Sequence, residues 1–178
     1  MIRSCWQIRP WKADDVEDLY RLVRVSLPEL GAWLPWCRPD YSRRDTAGWI
    51  AHCRDAWAAR SEFPMGVFEA STGAVCGGVG INRIDPTARC ANLGYWTGTP
   101  WTGRGVARAA ATQAATFAFD ELALVRLEIL VHPDNAASRR VAEAIGARFM
   151  GVLPERLTLH DRETAAAVYQ IEREGWSG

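Results

Sequence analysis

The segment PWTGRGVARAA, residues 100–110, sets Gly103, Arg104 and Gly105 directly ahead of a run of small residues with helical patterning. Glycines permit backbone conformations closed to other residues and let a ligand approach the main chain. The first turn of a helix leaves about four amide N–H groups without partners, and its dipole adds partial positive charge. Together they form an anion seat suited to phosphate, to which Arg104 adds a charge-assisted hydrogen bond. The alternative is an ordinary glycine-rich turn. Two better-known phosphate motifs do not fit. A Walker loop needs Gly-Lys-Ser/Thr, which is missing, and a dinucleotide fingerprint needs a third glycine where Arg108 stands.

A second cluster lies in HPDNAASRRVAEAIGARFMGVL, residues 132–153. Asn135 and Ser138 are spaced i, i+3 and share a face of the first helical turn. Plain N-capping accounts for Asn135 equally well. Arg139 and Arg140 read as a solvated face from which one guanidinium reaches a ligand phosphate. If the preceding strand lies beside the strand ending at Thr97-Gly98, both helix starts open into one cleft. Trp33 and Trp36, in LGAWLPWC, are candidate pocket walls, because their Leu-Pro spacer breaks a helix and places them on a loop. The competing reading makes them core or dimer-interface residues. Glu69, Glu155, Glu163, His132 and His160 read as surface groups before they read as a base.

These groups need a frame. Residues 5–9 predict a short strand. A helix opens at Asp14 with Glu17 as its cap partner and Val16, Leu19, Leu22 and Val23 on its apolar face. A Pro- and Trp-rich loop spans residues 28–41. Ser42 caps the next helix with Asp45, and Ala47, Ile50, Ala51, Trp57 and Ala58 form its stripe. Residues 65–70, 74–83 and 88–98 predict an antiparallel meander. The helix after the glycine loop runs to about Phe119, burying Val106, Ala110, Ala114 and Phe117. Residues 124–132 form a strand, and a helix from Asp134-Asn135 ends at Gly146. Residues 147–160 and 164–173 pair around Asp161-Arg162-Glu163. The order β, α, α, three β, α, β, α, two β is an α+β fold: a mixed, mostly antiparallel sheet of about seven strands with helices on both faces.

The 178 residues suit a single domain, 1–178. Lys plus Arg equals Asp plus Glu at 21 each, so nothing draws the chain as a whole to nucleic acid or an anionic membrane. Five scattered cysteines without a Cys/His cluster predict free thiols, no metal site and a reducing, cytoplasmic compartment. No apolar leader or membrane-length run is present.

With LGYWTGTPWTGRGVARAA (93–110), residues 132–153 and the early LPELGAWLPW (27–36) in this order, the chain resembles the GNAT acetyltransferases. Its nearest likeness is to their ribosomal-protein N-acetyltransferase, RimJ/RimL-like, branch. The resemblance covers nearly the whole chain and implies a GNAT fold, acetyl-CoA as donor and an amine acceptor. It places pantetheine along Tyr95, Trp96, Thr97 and Gly98, between two splayed strands. It places the diphosphate on Thr102, Gly103, Arg104, Gly105, Val106 and Ala107, with Asn135, Ser138 and Arg140 contributing across the cleft. The motif departs at Thr102, where relatives carry Gln or Arg, while Gly105 and Ala107 match. The tyrosine many relatives use as general acid is replaced by Ala142, which leaves Ser138 for that role. The carboxylate that often acts as base corresponds to Asn92, a catalytic position here without a useful pKa. The likeness to that branch implies a protein or peptide N-terminus as acceptor, with Trp33 and Trp36 expected to line its pocket. The alternatives are a small-molecule amine acceptor and a non-catalytic acyl-CoA sensor. A homodimer is compatible with the Trp-rich surface and strand-rich C-terminus.

Overall fold

The computed structural model describes residues 5–178. Part of the N-terminal stretch read for an apolar leader, residues 1–4, lies outside them. Strand β1 (Trp6–Pro10) is followed by a 3-10 turn (Ala13–Asp15) and helix α1 (Val16–Leu30). Helix α2 (Arg43–Ala59) leads to β2 (Phe63–Glu69), β3 (Val75–Asp85) and β4 (Cys90–Thr97). A second 3-10 turn (Thr99–Trp101) precedes α3 (Val106–Asp120), then β5 (Arg126–Val131), α4 (Ala136–Ala144), β6 (Arg148–Leu159) and β7 (Arg162–Glu172). The strands form one sheet in the order β1-β2-β3-β4-β5-β7-β6. Only the β4/β5 pair is parallel. The predicted α+β architecture of seven strands is therefore observed.

Alternation along the strands feeds two apolar clusters. Val67 packs with the alanine face of α3, whereas its neighbour Phe68 packs with Leu19, Leu22 and Ile50 of α1 and α2. That α3 face is built of Ala110, Ala111, Ala114, Ala115 and Ala118, which let the helix lie close on the sheet. Phe119, rather than the predicted Phe117, is the aromatic residue buried at its end.

Local signals fix most boundaries. Ser42 caps α2 as expected, and Asp45 reaches back to the Ser42 N–H at 2.8 Å. The cap of α1 lies elsewhere than at Asp14 and Glu17. Asp15 is the residue that reaches back, accepting from the Lys12 N–H at 2.8 Å while Arg9 grips both its oxygens at 2.7 and 2.8 Å. The buried stripe of α2 is Thr46, Ile50, Cys53 and Ala56, with Ala47, Ala51 and Ala58 exposed. Buried Thr46 is satisfied by the Tyr41 hydroxyl at 3.0 Å. The last hairpin turns at His160-Asp161, both at positive φ (50° and 59°), one step before the predicted turn.

Candidate active site

The site is built where the sheet fails to close. Strands β4 and β5 pair only at Cys90–Arg126, Ala91–Leu127 and Asn92–Glu128. Beyond Asn92 the two continue unpaired, to Thr97 and to Val131. The result is a wedge whose walls carry main-chain groups with no neighbouring strand. On the β4 wall these groups can be assigned. The Gly98 N–H donates to Cys76 O on β3 at 2.9 Å. The β3/β4 register is regular from Gly77–Thr97 to Asn82–Asn92, so successive residues turn their polar groups to opposite sides. Trp96 and Gly98 therefore face β3, and Tyr95 and Thr97 face the wedge. Of the four residues expected to offer main-chain contacts, Trp96 and Gly98 thus turn theirs to β3. The Thr97 hydroxyl is buried and has no hydrogen-bond partner.

The glycine loop closes one end of the wedge. The Trp101 N–H donates to Gly98 O at 2.9 Å, and the Thr102 hydroxyl to Thr99 O at 3.0 Å. The Thr99 N–H donates to the Ser26 hydroxyl at 2.9 Å, fixing the loop to α1. Gly103 and Gly105 adopt φ of +74° and +78°, and a Cβ at either would meet no atom within 4 Å. The predicted glycine freedom is thus used, and the space beside both is open. Gly105 caps α3 without a side chain, and the first N–H bonded back to it is that of Ala109, to Gly105 O at 3.0 Å. The N–H groups of Val106, Ala107 and Arg108 precede that bond at the helix end. The Arg104 guanidinium lies 5.1 Å from the Trp101 ring centroid, an exposed cation at the loop rim.

Helix α4 supplies the opposite wall. The Asn135 side chain caps it by accepting the Ser138 N–H at 3.1 Å, so its capping role is realised. Ser138 lies across from Tyr95, whose hydroxyl donates to Ser138 O at 2.9 Å. Arg139 is drawn away from any cleft: it donates to the Tyr169 hydroxyl at 3.0 Å and to Pro133 O at 3.3 Å. Tyr169 in turn donates to Glu143 at 2.8 Å. Arg140, by contrast, is exposed.

A cavity of about 780 Å³ runs through the wedge to the α1/α2 face. Trp33 and Trp36 both line it, with Trp49, Trp96 and Tyr41 beside them. Trp36 packs against Tyr41 and Trp96 at 5.9 and 5.7 Å, and Trp33 against His132 at 5.4 Å. Asn92 does not line the cavity: its Nδ2 donates to Asn82 Oδ1 at 3.0 Å, and it is Asn82 that reaches the wall. Glu69 is tied to Thr72, while Glu155 and Glu163 are exposed on the β6/β7 hairpin. The cavity-lining carboxylates are Asp45 and Glu62, neither singled out from sequence. Asp45 is engaged with Ser42, and Glu62 lies 3.6 Å from His52. The tip of the β6/β7 hairpin, at Leu157 and Leu159, forms a further wall that only tertiary structure brings near.

An unpaired sheet wedge beside a helix start with free amides can take an extended ligand and an anionic group. The comparisons with known proteins agree. The acetyltransferase (GNAT) domain family matches residues 7–148. The chain is 29% identical over 174 residues to a Bacillus subtilis (strain 168) protein named "Putative ribosomal N-acetyltransferase YdaF". That match covers 96% of this chain and 93% of the relative. A solved structure titled "putative ribosomal-protein-serine acetyltransferase from Vibrio cholerae" superposes with a TM-score of 0.86 at 30% identity, covering 96% and 95% of the two chains. RimL, the ribosomal L7/L12 alpha-N-protein acetyltransferase solved with coenzyme A, has the same fold, with a TM-score of 0.86 at 19% identity over 97% and 96%. The chain belongs to the GNAT acetyltransferase family. It is an N-acetyltransferase, and acetyl-CoA is its acyl donor. Among the described residues no helix is long and apolar enough to cross a membrane.

The structure fits this donor on its own evidence. Two left-handed glycines with open space beside them lead into the amides at the α3 start, and the strand before them carries a buried, unpartnered Thr97 hydroxyl.

Proposed function

We propose that the protein acetylates a primary amine presented as a protein or peptide N-terminus. The observation that carries this reading is the β4/β5 wedge opening beyond Asn92 into an aromatic-walled cavity. Relatives named as ribosomal-protein acetyltransferases support the acceptor class. Amides of residues 103–107, with Thr102 at the loop entrance, hold the diphosphate. Arg104 and Arg140 supply the exposed cations beside it. Tyr95 and Thr97 present main-chain groups to the pantetheine, and Trp33 and Trp36 orient the acceptor.

Bound acetyl-CoA supplies a thioester: as the amide C–N bond forms, the C–S bond breaks onto sulfur, nitrogen loses a proton and sulfur gains one. Ser138 holds a hydroxyl proton on the α4 wall, facing the place where that sulfur charge develops. Thiols are acidic, with a pKa of about 8.5, so this help is modest and Ser138→Ala costs ~10²-fold, the low end for an acid–base group. Asn92 carries no titrating group, so the acceptor proton leaves to water at the cavity mouth.

Incubation with acetyl-CoA and a panel of peptides and small amines, read by intact mass, tests the reading. Acetylation of peptide N-termini in preference to lysine side chains and small amines is expected. Turnover confined to small amines would overturn the acceptor assignment, and no turnover with any amine would favour an acyl-CoA sensor.

A further inference from the structure

Ser138 does not stand alone on the α4 wall. Tyr95 lies on β4, and its ring crosses the wedge beneath the unpaired part of that strand. The phenol donates to Ser138 O at 2.9 Å, and the Ser138 hydroxyl lies 3.5 Å from the phenol oxygen, to which it donates. Ser138 and Ala142 are one helical turn apart on the same face, and Ala142 is fully buried and small.

We propose that Tyr95 is a positioning residue: its hydroxyl bolts the first turn of α4 to β4 across the wedge and so holds the Ser138 oxygen beside the leaving sulfur. This rests on the catalytic role assigned to Ser138 above. The argument is one of position. A serine hydroxyl rotates freely unless a neighbour fixes it. With its own proton committed to the Ser138 carbonyl, the phenol oxygen accepts from the Ser138 hydroxyl, which fixes where the Ser138 oxygen rests; rotation about its Cβ–Oγ bond then turns the proton to the sulfur. Burial pushes the Tyr95 pKa up to about 12, so the phenol stays protonated and keeps this polarity at any working pH. A direct acid role is disfavoured by the same fact, because transfer from so weak an acid to a thiolate of pKa about 8.5 is uphill.

The test is a double-mutant cycle of Tyr95→Phe and Ser138→Ala, with kcat, KM for acetyl-CoA and the calorimetric Kd for CoA measured on each protein. Phenylalanine keeps the ring and removes only the hydroxyl. Tyr95→Phe should lower kcat ~3–10-fold, the scale of one neutral hydrogen bond, with KM and Kd within about twofold of the parent. In the Ser138→Ala background the same substitution should change kcat by less than about twofold, since the group it holds is gone. Equal effects in both backgrounds, or a loss confined to KM and Kd, would overturn the positioning role while leaving Ser138 in place. A Ser138→Ala enzyme at full activity would instead remove the role of Ser138 and this inference with it. A silent Tyr95→Phe beside an impaired Ser138→Ala would overturn the inference alone.

Discussion

Gly105→Ala separates what the glycine loop does for the fold from what it does for the donor. Gly105 sits at φ +78° as the cap of α3, and a Cβ there touches nothing within 4 Å. The folding cost is therefore the left-handed penalty alone, ~1–2 kcal/mol for a residue with a Cβ. In a chain of this length each kcal/mol lowers Tm by ~2–4 °C, giving a fall of ~2–8 °C. Binding should suffer separately, because the methyl group occupies the space an anion needs to reach the Val106 and Ala107 amides. Loss of one charge-assisted hydrogen bond is worth ~1.5–3 kcal/mol, a ~10–100-fold rise in Kd for CoA. Gly73→Ala is the matched control. Gly73 has φ +76° and equally open surroundings, but it lies in the turn between β2 and β3. Scanning calorimetry should show similar Tm losses for both variants. Titration calorimetry should show weakened CoA binding for Gly105→Ala only. Equal CoA affinity in the two variants would refute the claim that the loop amides hold the diphosphate.

Two further outcomes follow from the geometry. Burial tends to raise the Asp15 pKa, but the Arg9 hydrogen bond, the Lys12 N–H and the charges of Arg9 and Lys12 outweigh it and hold it below the usual range. A depressed carboxyl stabilises the fold above its unfolded pKa of about 3.9 and ceases to as pH falls through its folded value. Asp15→Ala should therefore lower Tm by ~3–12 °C near pH 7, from a loss of ~1.5–3 kcal/mol, and the gap should narrow in melts below about pH 4. Trp36 is 40% exposed at the cavity mouth, so Trp36→Ala should cost little stability. It should raise KM for the amine acceptor ~10-fold or more, as loss of a large aromatic contact does, with the CoA Kd unchanged in a parallel titration.

Much of this architecture was legible from local chemistry. Ser42 with Asp45, Asn135 with Ser138, Gly146 after α4, and the glycine pair before α3 are signals spoken within a few residues, and each is realised. Errors arose where a local signal had a neighbour of equal weight. Asp14 and Asp15 are adjacent acids, and it is Arg9, on β1, that selects Asp15. Alanines carry almost no burial preference, so a stripe counted through Ala47, Ala51 and Ala58 lost the phase that Thr46 and Cys53 keep. The site was legible as two loops but not as a cavity. Sequence alone did not show that Arg139 turns to Tyr169, that the main-chain groups of Trp96 and Gly98 face β3, or that the Tyr95 hydroxyl reaches a residue 43 positions away. Each depends on which strands become neighbours.

The most direct test of the central claim is a crystal structure of the protein with coenzyme A. The account predicts the diphosphate oxygens within hydrogen-bonding distance of the amides of residues 103–107, with the pantetheine running between β4 and β5 past Tyr95 and Thr97. Coenzyme A lying outside that wedge, or a protein that takes up none, would contradict it.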